Sequence, residues 1–338
     1  MLPVLDIANF LSNPHNHEAD EFVDTLRETC HGPGFFYLTG HGFDDRINDN
    51  VLAVANRFFN LPDAEREALA IANSAGFRGY TLLKHERTNG RVDWRDQIDI
   101  GPEEPEPEVT PQDPPWMRLR GSNQWPESLP EMSSTIRHWM DQVQPVGLAL
   151  MRALARGLGQ SENFFDSRMT PEPYTRVKII RYPAQPESGG SGQGLGLHND
   201  TGILTFILQD AVPGLQVMSH GKLHDVEPMP GALVVNLGEM MQAATNGYLR
   251  ATEHQVVSPP AGQQRISIAY FMNPRLDARF EPLPLPDELA ALATGSQNTD
   301  PDNPIFATFG ANTLKTRMRS HPDVTAKFYA DVRPEDLQ

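Results

Sequence analysis

Near Tyr174 the hydrophobic period of this chain changes, and that change restricts its fold more than any other feature. Before it, apolar residues recur at helical spacing. Phe22, Val23 and Leu26 share one face of a helix expected over Glu18 to Cys30, and Val51, Val54, Ala55 and Phe58 share one over Asp45 to Phe59. Leu61-Pro62 ends the second, and another helix is expected from Asp63. Trp139, Val143, Val146, Leu150, Leu154 and Leu158 predict helices from about Ser133 to Gly159, with Gly157 and Gly159 as terminators. Two β-type runs, Leu2 to Asp6 and Gly34 to Leu38, interrupt this half. After Tyr174 the runs are short and alternate: Arg176 to Tyr182, Ile203 to Gln209, Leu215 to Met218, Ala232 to Leu237, His254 to Val257 and Arg265 to Phe271. Pro213-Gly214, Pro230-Gly231 and Pro259-Pro260-Ala261-Gly262 separate them, as in a sandwich or barrel. The expectation is an α+β chain with a predominantly β core. Its helical N-terminal half packs against an antiparallel double-sheet jelly roll, and a C-terminal helix follows near Asn312 to Arg319.

A chain of 338 residues can bury such a core without an external staple. Its single cysteine, Cys30, excludes an intrachain disulfide, a Cys-rich zinc site and an iron–sulfur cluster, and favours the cytoplasm. No basic n-region opens the chain and no run of about 18 apolar residues occurs, so neither export nor membrane spanning is expected. The formal net charge is −16, which argues against nucleic acid or an anionic membrane as partner and points to a small molecule. An anionic substrate must then be drawn in by local basic groups. Arg78 and Arg181 are candidates for that role, among cavity-lining candidates that also include Phe77, Tyr80 and Asp96 to Asp99.

His198 and Asp200 stand two apart in the segment Gly196 to Gly202, so in extended chain both side chains leave one face and can share an ion. His254 opens a later strand. Two imidazoles and one carboxylate leave half of a metal's coordination sphere open, which suits non-haem iron(II); three such ligands also suit catalytic zinc. A hairpin centred near Pro260-Ala261 would set His254 roughly opposite Ser267, with Arg265 on the same face. Arg265 lies within the apolar run Ile266 to Phe271, where an unpaired charge is costly to bury. A guanidinium and a hydroxyl there fit the distal carboxylate of 2-oxoglutarate, whose other end can chelate iron.

The text around these residues resembles the isopenicillin N synthase-like family of iron(II)/2-oxoglutarate-dependent oxygenases. The resemblance is carried by Arg181-Tyr182-Pro183, Gly196-Leu197-His198-Asn199-Asp200-Thr201-Gly202-Ile203-Leu204-Thr205, Leu208-Gln209-Asp210 and Pro213-Gly214-Leu215-Gln216-Val217. It continues through Pro230 to Glu239, Thr245-Asn246-Gly247, His254 and Arg265-Ile266-Ser267, with Gly34-Phe35-Phe36-Tyr37 and Gly40-His41-Gly42 in the N-terminal region. It implies a distorted double-stranded β-helix, a cupin-like jelly roll. It also implies that His198, Asp200 and His254 are the iron triad, and that Arg265 and Ser267, helped by Tyr182, grip 2-oxoglutarate. Dioxygen is then the oxidant, and hydroxylation or another C–H oxidation of a small molecule is coupled to formation of succinate and CO2. On this reading residues 1–115 form the N-terminal helix and strand region, 116–172 a helical support, 173–285 the iron- and 2-oxoglutarate-binding core, and 286–338 a C-terminal loop and helix.

Two rivals remain at this stage. Gln255 stands where many relatives have Arg, and Ile180-Arg181-Tyr182 looks more like isopenicillin N synthase itself. One rival is therefore a four-electron oxidase without 2-oxoglutarate, its Arg265 and Ser267 gripping a substrate carboxylate. The other is a non-catalytic jelly-roll binding protein. His41 reads as a turn or packing histidine, His220 and His224 as solvated, and His15, His17, His31, His85, His138 and His321 carry no supporting partner in the sequence.

Overall fold

A computed structural model describes residues 2–88, 90–185, 192–295 and 305–337. The N-terminal region contributes strands β1 (Val4–Asp6), β2 (Phe35–Thr39), β3 (Gly79–Thr81), the short hairpin β4 (Arg87–Thr88) and β5 (Arg91–Val92), and β6 (Asp96–Ile100). Then come β7 (Arg176–Tyr182), β8 (Gln193–His198), β9 (Leu204–Gln209), β10 (Leu215–Ser219) and β11 (Lys222–Asp225). The last are β12 (Leu233–Leu237), β13 (His254–Val257) and β14 (Arg265–Met272).

Two sheets face each other. The larger has eight strands in the order β1-β2-β12-β9-β14-β7-β6-β3, and the smaller four in the order β11-β10-β13-β8. All pairings are antiparallel except β1 with β2. The N-terminal region is thus more than a helical annex, because β1, β2, β3 and β6 complete both flanks of the larger sheet. Alternation along β14 divides its residues between two environments. Ile266, Ile268, Tyr270 and Met272 turn to the main core under the helices, while Arg265, Ser267, Ala269 and Phe271 line the cavity between the sheets.

The helices form where the apolar spacing predicts them. The helix His17–His31 is capped by Asn16, whose side chain accepts from the Ala19 amide, and buries Phe22, Val23 and Leu26. Asp44 caps Asp45–Phe59 in the same way through the Arg46 amide. In place of separate helices after Ser133, one continuous helix, Glu131–Gly157, runs through Pro145. Its apolar face outweighs the proline, since Ile136, Trp139, Val143, Leu150 and Leu154 are all buried, each large apolar side chain contributing about 1.5–3 kcal/mol. Trp139 meets Tyr270 of β14 edge to face at 6.0 Å. The expected C-terminal helix spans Phe309–Ser320 and is followed by Pro322–Phe328.

The hairpin between β13 and β14 does not form. β13 pairs with β10 and β8 in the smaller sheet, while β14 pairs with β7 and β9 in the larger. The Pro259-Pro260 turn carries the chain from one sheet to the other. His254 therefore faces Arg265 and Ser267 across the cavity instead of standing beside them on one ladder.

Candidate active site

His198 ends β8 and His254 opens β13, and the two are direct cross-strand partners, with ring centroids 4.3 Å apart. Asp200 follows β8 in a corner that is strapped to the turn after β12. The Glu239 amide donates to the Asp200 carbonyl, and the Gly238 amide to that of Ile203. Gly238 must be glycine for this contact, because a Cβ there would run into the backbone of Gly202. Asp200 Oδ1 lies 3.9 Å from His198 Nε2 and 4.0 Å from His254 Nε2. Two bonds of about 2.1 Å to one ion can span such distances.

Each of these groups has its other polar atom committed. His198 Nδ1 lies 2.9 Å from the Gly196 carbonyl and His254 Nδ1 lies 3.2 Å from that of Thr252, so both Nδ1–H groups donate and both Nε2 atoms are left free to accept or to bind a metal. Asp200 Oδ2 accepts from Thr205 Oγ1 at 2.5 Å and from Asn236 Nδ2 at 2.7 Å. Burial, and His254 beside it, push the His198 pKa down, which keeps a lone pair on its ring. Burial alone would raise the Asp200 carboxyl, but His254, His198 and the two hydrogen bonds hold it below its ordinary value. A deprotonated carboxylate and two neutral imidazoles, with one face open, are the donor set that suits non-haem iron(II).

Across the cavity, Arg265 is fully buried. Its Nε donates to the Val212 carbonyl and its Nη2 to Gln209 Oε1, while Nη1 has no hydrogen-bond partner. The guanidinium lies over the Tyr182 ring, 5.2 Å from its centroid, and Tyr182 is its cross-strand partner on β7. Ser267, two residues along, faces the same way. Burial lowers the Arg265 pKa against the pull of Tyr182 and Asp210. A buried cation with a spare donor suits an anion, and a carboxylate would complete its hydrogen bonds. His198, Asp200, His254, Arg265, Ser267 and Tyr182 thus all line one cavity of about 650 Å³.

The other residues singled out from sequence fall elsewhere. Arg181 is held by Asp96 and the Phe59 carbonyl, and Arg78 donates to the Pro102 and Gly121 carbonyls, so neither faces the cavity. His41 stacks on Phe43 and bonds the Gly231 carbonyl, a packing role. Besides Arg265, the cations that line the cavity are Arg87, Arg95, Arg176, Lys178, Arg317 and Arg319. Sequence reasoning missed them, although one signal was present: Arg176 and Lys178 alternate with Val177 and Ile179 on the cavity face of a strand whose other residues are largely buried.

Residues 2–128 match the family described as non-haem dioxygenase in morphine synthesis N-terminal, and residues 174–274 match the 2OG-Fe(II) oxygenase superfamily. The chain is 34% identical to the 2-oxoglutarate-dependent dioxygenase frbJ of Dothideomycetidae sp. (strain 11243), over 99% of this chain and 93% of the relative. It is 31% identical to a homoarginine-6-hydroxylase of Glycine max, over 83% of this chain and 88% of that protein. Among solved structures, a full-length Neurospora crassa protein in complex with alpha-KG superposes with a TM-score of 0.74 at 25% identity, covering 94% of this chain and 96% of the other. These likenesses run through both sheets and the corner that carries Asp200, and with them the chain belongs to the 2OG-Fe(II) oxygenase superfamily, as an oxidoreductase that uses iron(II), 2-oxoglutarate and dioxygen.

Proposed function

We propose that His198, Asp200 and His254 hold the iron(II), that Arg265 and Ser267, with Tyr182, hold the far carboxylate of 2-oxoglutarate, and that a small-molecule substrate occupies the rest of the cavity. One observation carries this reading: the three free donor atoms, His198 Nε2, His254 Nε2 and Asp200 Oδ1, converge while every other polar atom of those side chains is already bonded. When bound, iron(II) with 2-oxoglutarate and dioxygen supplies oxidation, one oxygen atom going to succinate as CO2 leaves and the other to a substrate C–H bond. The chain's own contribution is placement. Thr205 and Asn236 fix the Asp200 carboxylate, the Gly196 and Thr252 carbonyls fix the imidazoles, and Arg265 anchors the co-substrate by charge and two-point geometry. The apolar cavity residues Ile180, Leu195, Ile207 and Val256 exclude water around that anchor, which strengthens its electrostatics.

The relatives favour this co-substrate over four-electron oxidation of the substrate alone. An acidic chain with a single cysteine fits the cytoplasm, and among the described residues no helix is long and apolar enough to cross a membrane. The test is an anaerobic titration with iron(II) and 2-oxoglutarate, followed by its weak visible charge-transfer band and by succinate release in air. His198→Ala and Arg265→Gln should each abolish or strongly weaken the band. A band of wild-type strength in both would reject the assignment.

A further inference from the structure

The cavity holds a second charged cluster that grip on 2-oxoglutarate does not need. Strand register locates it. Asn236, Thr205, Phe271 and Arg176 form one cross-strand row over β12, β9, β14 and β7. Asp200 is bonded to the first two, so Arg176 stands two strands, about 10 Å, from Thr205. The next row, toward Arg265, contains Ala269, Lys178 and Asp99. Tyr182, the partner of Arg265, lies six residues from Arg176 on β7, or roughly 20 Å of strand. A five-carbon diacid anchored at Arg265 does not extend that far.

The charges in this cluster do not balance. Arg95, Arg176, Lys178 and Arg317 share Glu86, Asp93 and Asp99, and for both Glu86 and Asp99 the cation on β7 has the longer contact. Asp99 accepts from Arg317 at 2.9 Å and lies 3.3 Å from Arg176. Glu86 accepts from Arg95 at 2.5 Å and lies 3.5 Å from Lys178. Arg176 Nε is buried without a hydrogen-bond partner. Burial, with Arg317 nearby, brings Arg176 down to about 10, and burial brings Lys178 down to about 8 against the pull of Glu86 and Asp99. Four cations against three carboxylates leave one positive charge in this cluster, within a chain whose net charge is −16.

We propose that Arg176 and Lys178 bind a carboxylate of the primary substrate, which makes that substrate a small organic acid held with its acid group on β7 and a C–H bond turned toward Asp200. The inference rests on the iron reading above. A surplus of one charge matches a monoanion better than a phosphate dianion, and Arg176 offers the planar fork that carboxylates prefer. Arg319, exposed at the rim, adds to the attraction, while Glu239 and Glu253 lie on the iron side of the cavity.

The test loads the protein anaerobically with iron(II) and 2-oxoglutarate and follows the charge-transfer band as alkanoic and arylalkanoic acids, and then their primary amides, are added. Succinate release in air is read in parallel. At least one acid should perturb the band and stimulate release, its amide requiring tenfold more or failing altogether. Arg176→Gln, and separately Lys178→Met, should raise the acid concentration needed by tenfold or more. Arg176→Lys, which keeps the charge and loses the fork, should raise it by less. A series in which no acid perturbs the band, in which amides match their acids, or in which Arg176→Gln responds as wild type does overturns the assignment. A protein that forms no band before any acid is added counts against the iron reading instead.

Discussion

Thr205 donates its hydroxyl proton to Asp200 Oδ2 at 2.5 Å, tying the larger sheet to the corner after β8 and leaving Oδ1 turned toward two imidazoles. Thr205→Val keeps the shape of the side chain and removes the donor, so the carboxylate loses one of its two orienting bonds. Partners of this kind are worth about 10–100-fold in metal affinity. The iron concentration for half-saturation, measured by anaerobic dialysis, should rise by about tenfold or more. Unchanged affinity would show that Asn236 alone orients Asp200.

Arg265→Gln removes a buried charge at the far end of the cavity. Loss of one partner from a desolvated, hydrogen-bonded charge pair costs roughly 2–5 kcal/mol, so the KM for 2-oxoglutarate should rise by at least about thirtyfold. Arg265→Lys keeps the charge but not the fork and should fall between the variant and wild type. A KM within threefold of wild type in the Gln variant would remove Arg265 from the co-substrate site.

Gly238→Ala tests the strap behind Asp200. Its methyl group meets the Gly202 backbone, which cannot rotate away as a side chain could, so the corner must move. We expect a loss of about 1–3 kcal/mol in stability together with weaker iron binding, read by denaturant unfolding and dialysis on the same preparation. Destabilisation with iron binding intact would mean that the corner moves as a rigid unit.

The ion network around Glu86 sets the acid limit of the fold. Burial alone would raise the Glu86 carboxyl, but Lys178 and Arg95 hold it well below its ordinary 4.5, and Asp99 is likewise held below 3.8 by Arg317 and Lys178. In that range the unfolded chain binds more protons than the folded one, so these groups contribute stability above their ordinary values and lose it as pH falls through the folded ones. Burial also lowers His321 from 6.5, so stability should already begin to decline below about that pH. Tm followed by calorimetry should therefore fall in two stages, below about 6.5 and more steeply below about 4.5. Glu86→Gln should lower Tm at neutral pH and flatten the second stage. A Tm independent of pH down to 4 would contradict the network.

What the sequence made legible follows from how local each signal is. Period-two alternation with Pro-Gly punctuation set β7 and β13 to the residue, and the two-residue spacing of His198 and Asp200 marked the pair, although β8 ends at His198 and Asp200 lies in the corner beyond it. β6 was missed as a strand because Asp96, Gln97 and Asp99 read as polar; their burial depends on Arg66, Arg181, Arg317 and Glu86, which are distant in sequence. The β13 to β14 hairpin failed for a related reason. Turn chemistry shows that the chain reverses but not that it changes sheet, and only the packing of two layers decides that. Arg176 and Lys178 were passed over because a cation on a strand reads as solvated until the opposing wall is known.

That wall comes from the end of the chain. Thr313, Thr316 and Arg317, on the helix Phe309–Ser320, close the cavity beside Arg176, yet this helix belongs to neither sheet and contributes no ladder hydrogen bond. Arg317 is tied to Asp99 and to the Phe77 carbonyl, so the freedom to vary without disturbing the larger sheet falls to Thr313 and Thr316. One part of the cavity wall beside Arg176 is thereby encoded apart from the strands that carry Arg176, Lys178 and Arg265, and substitutions at Thr313 and Thr316 are the economical route to a new preference.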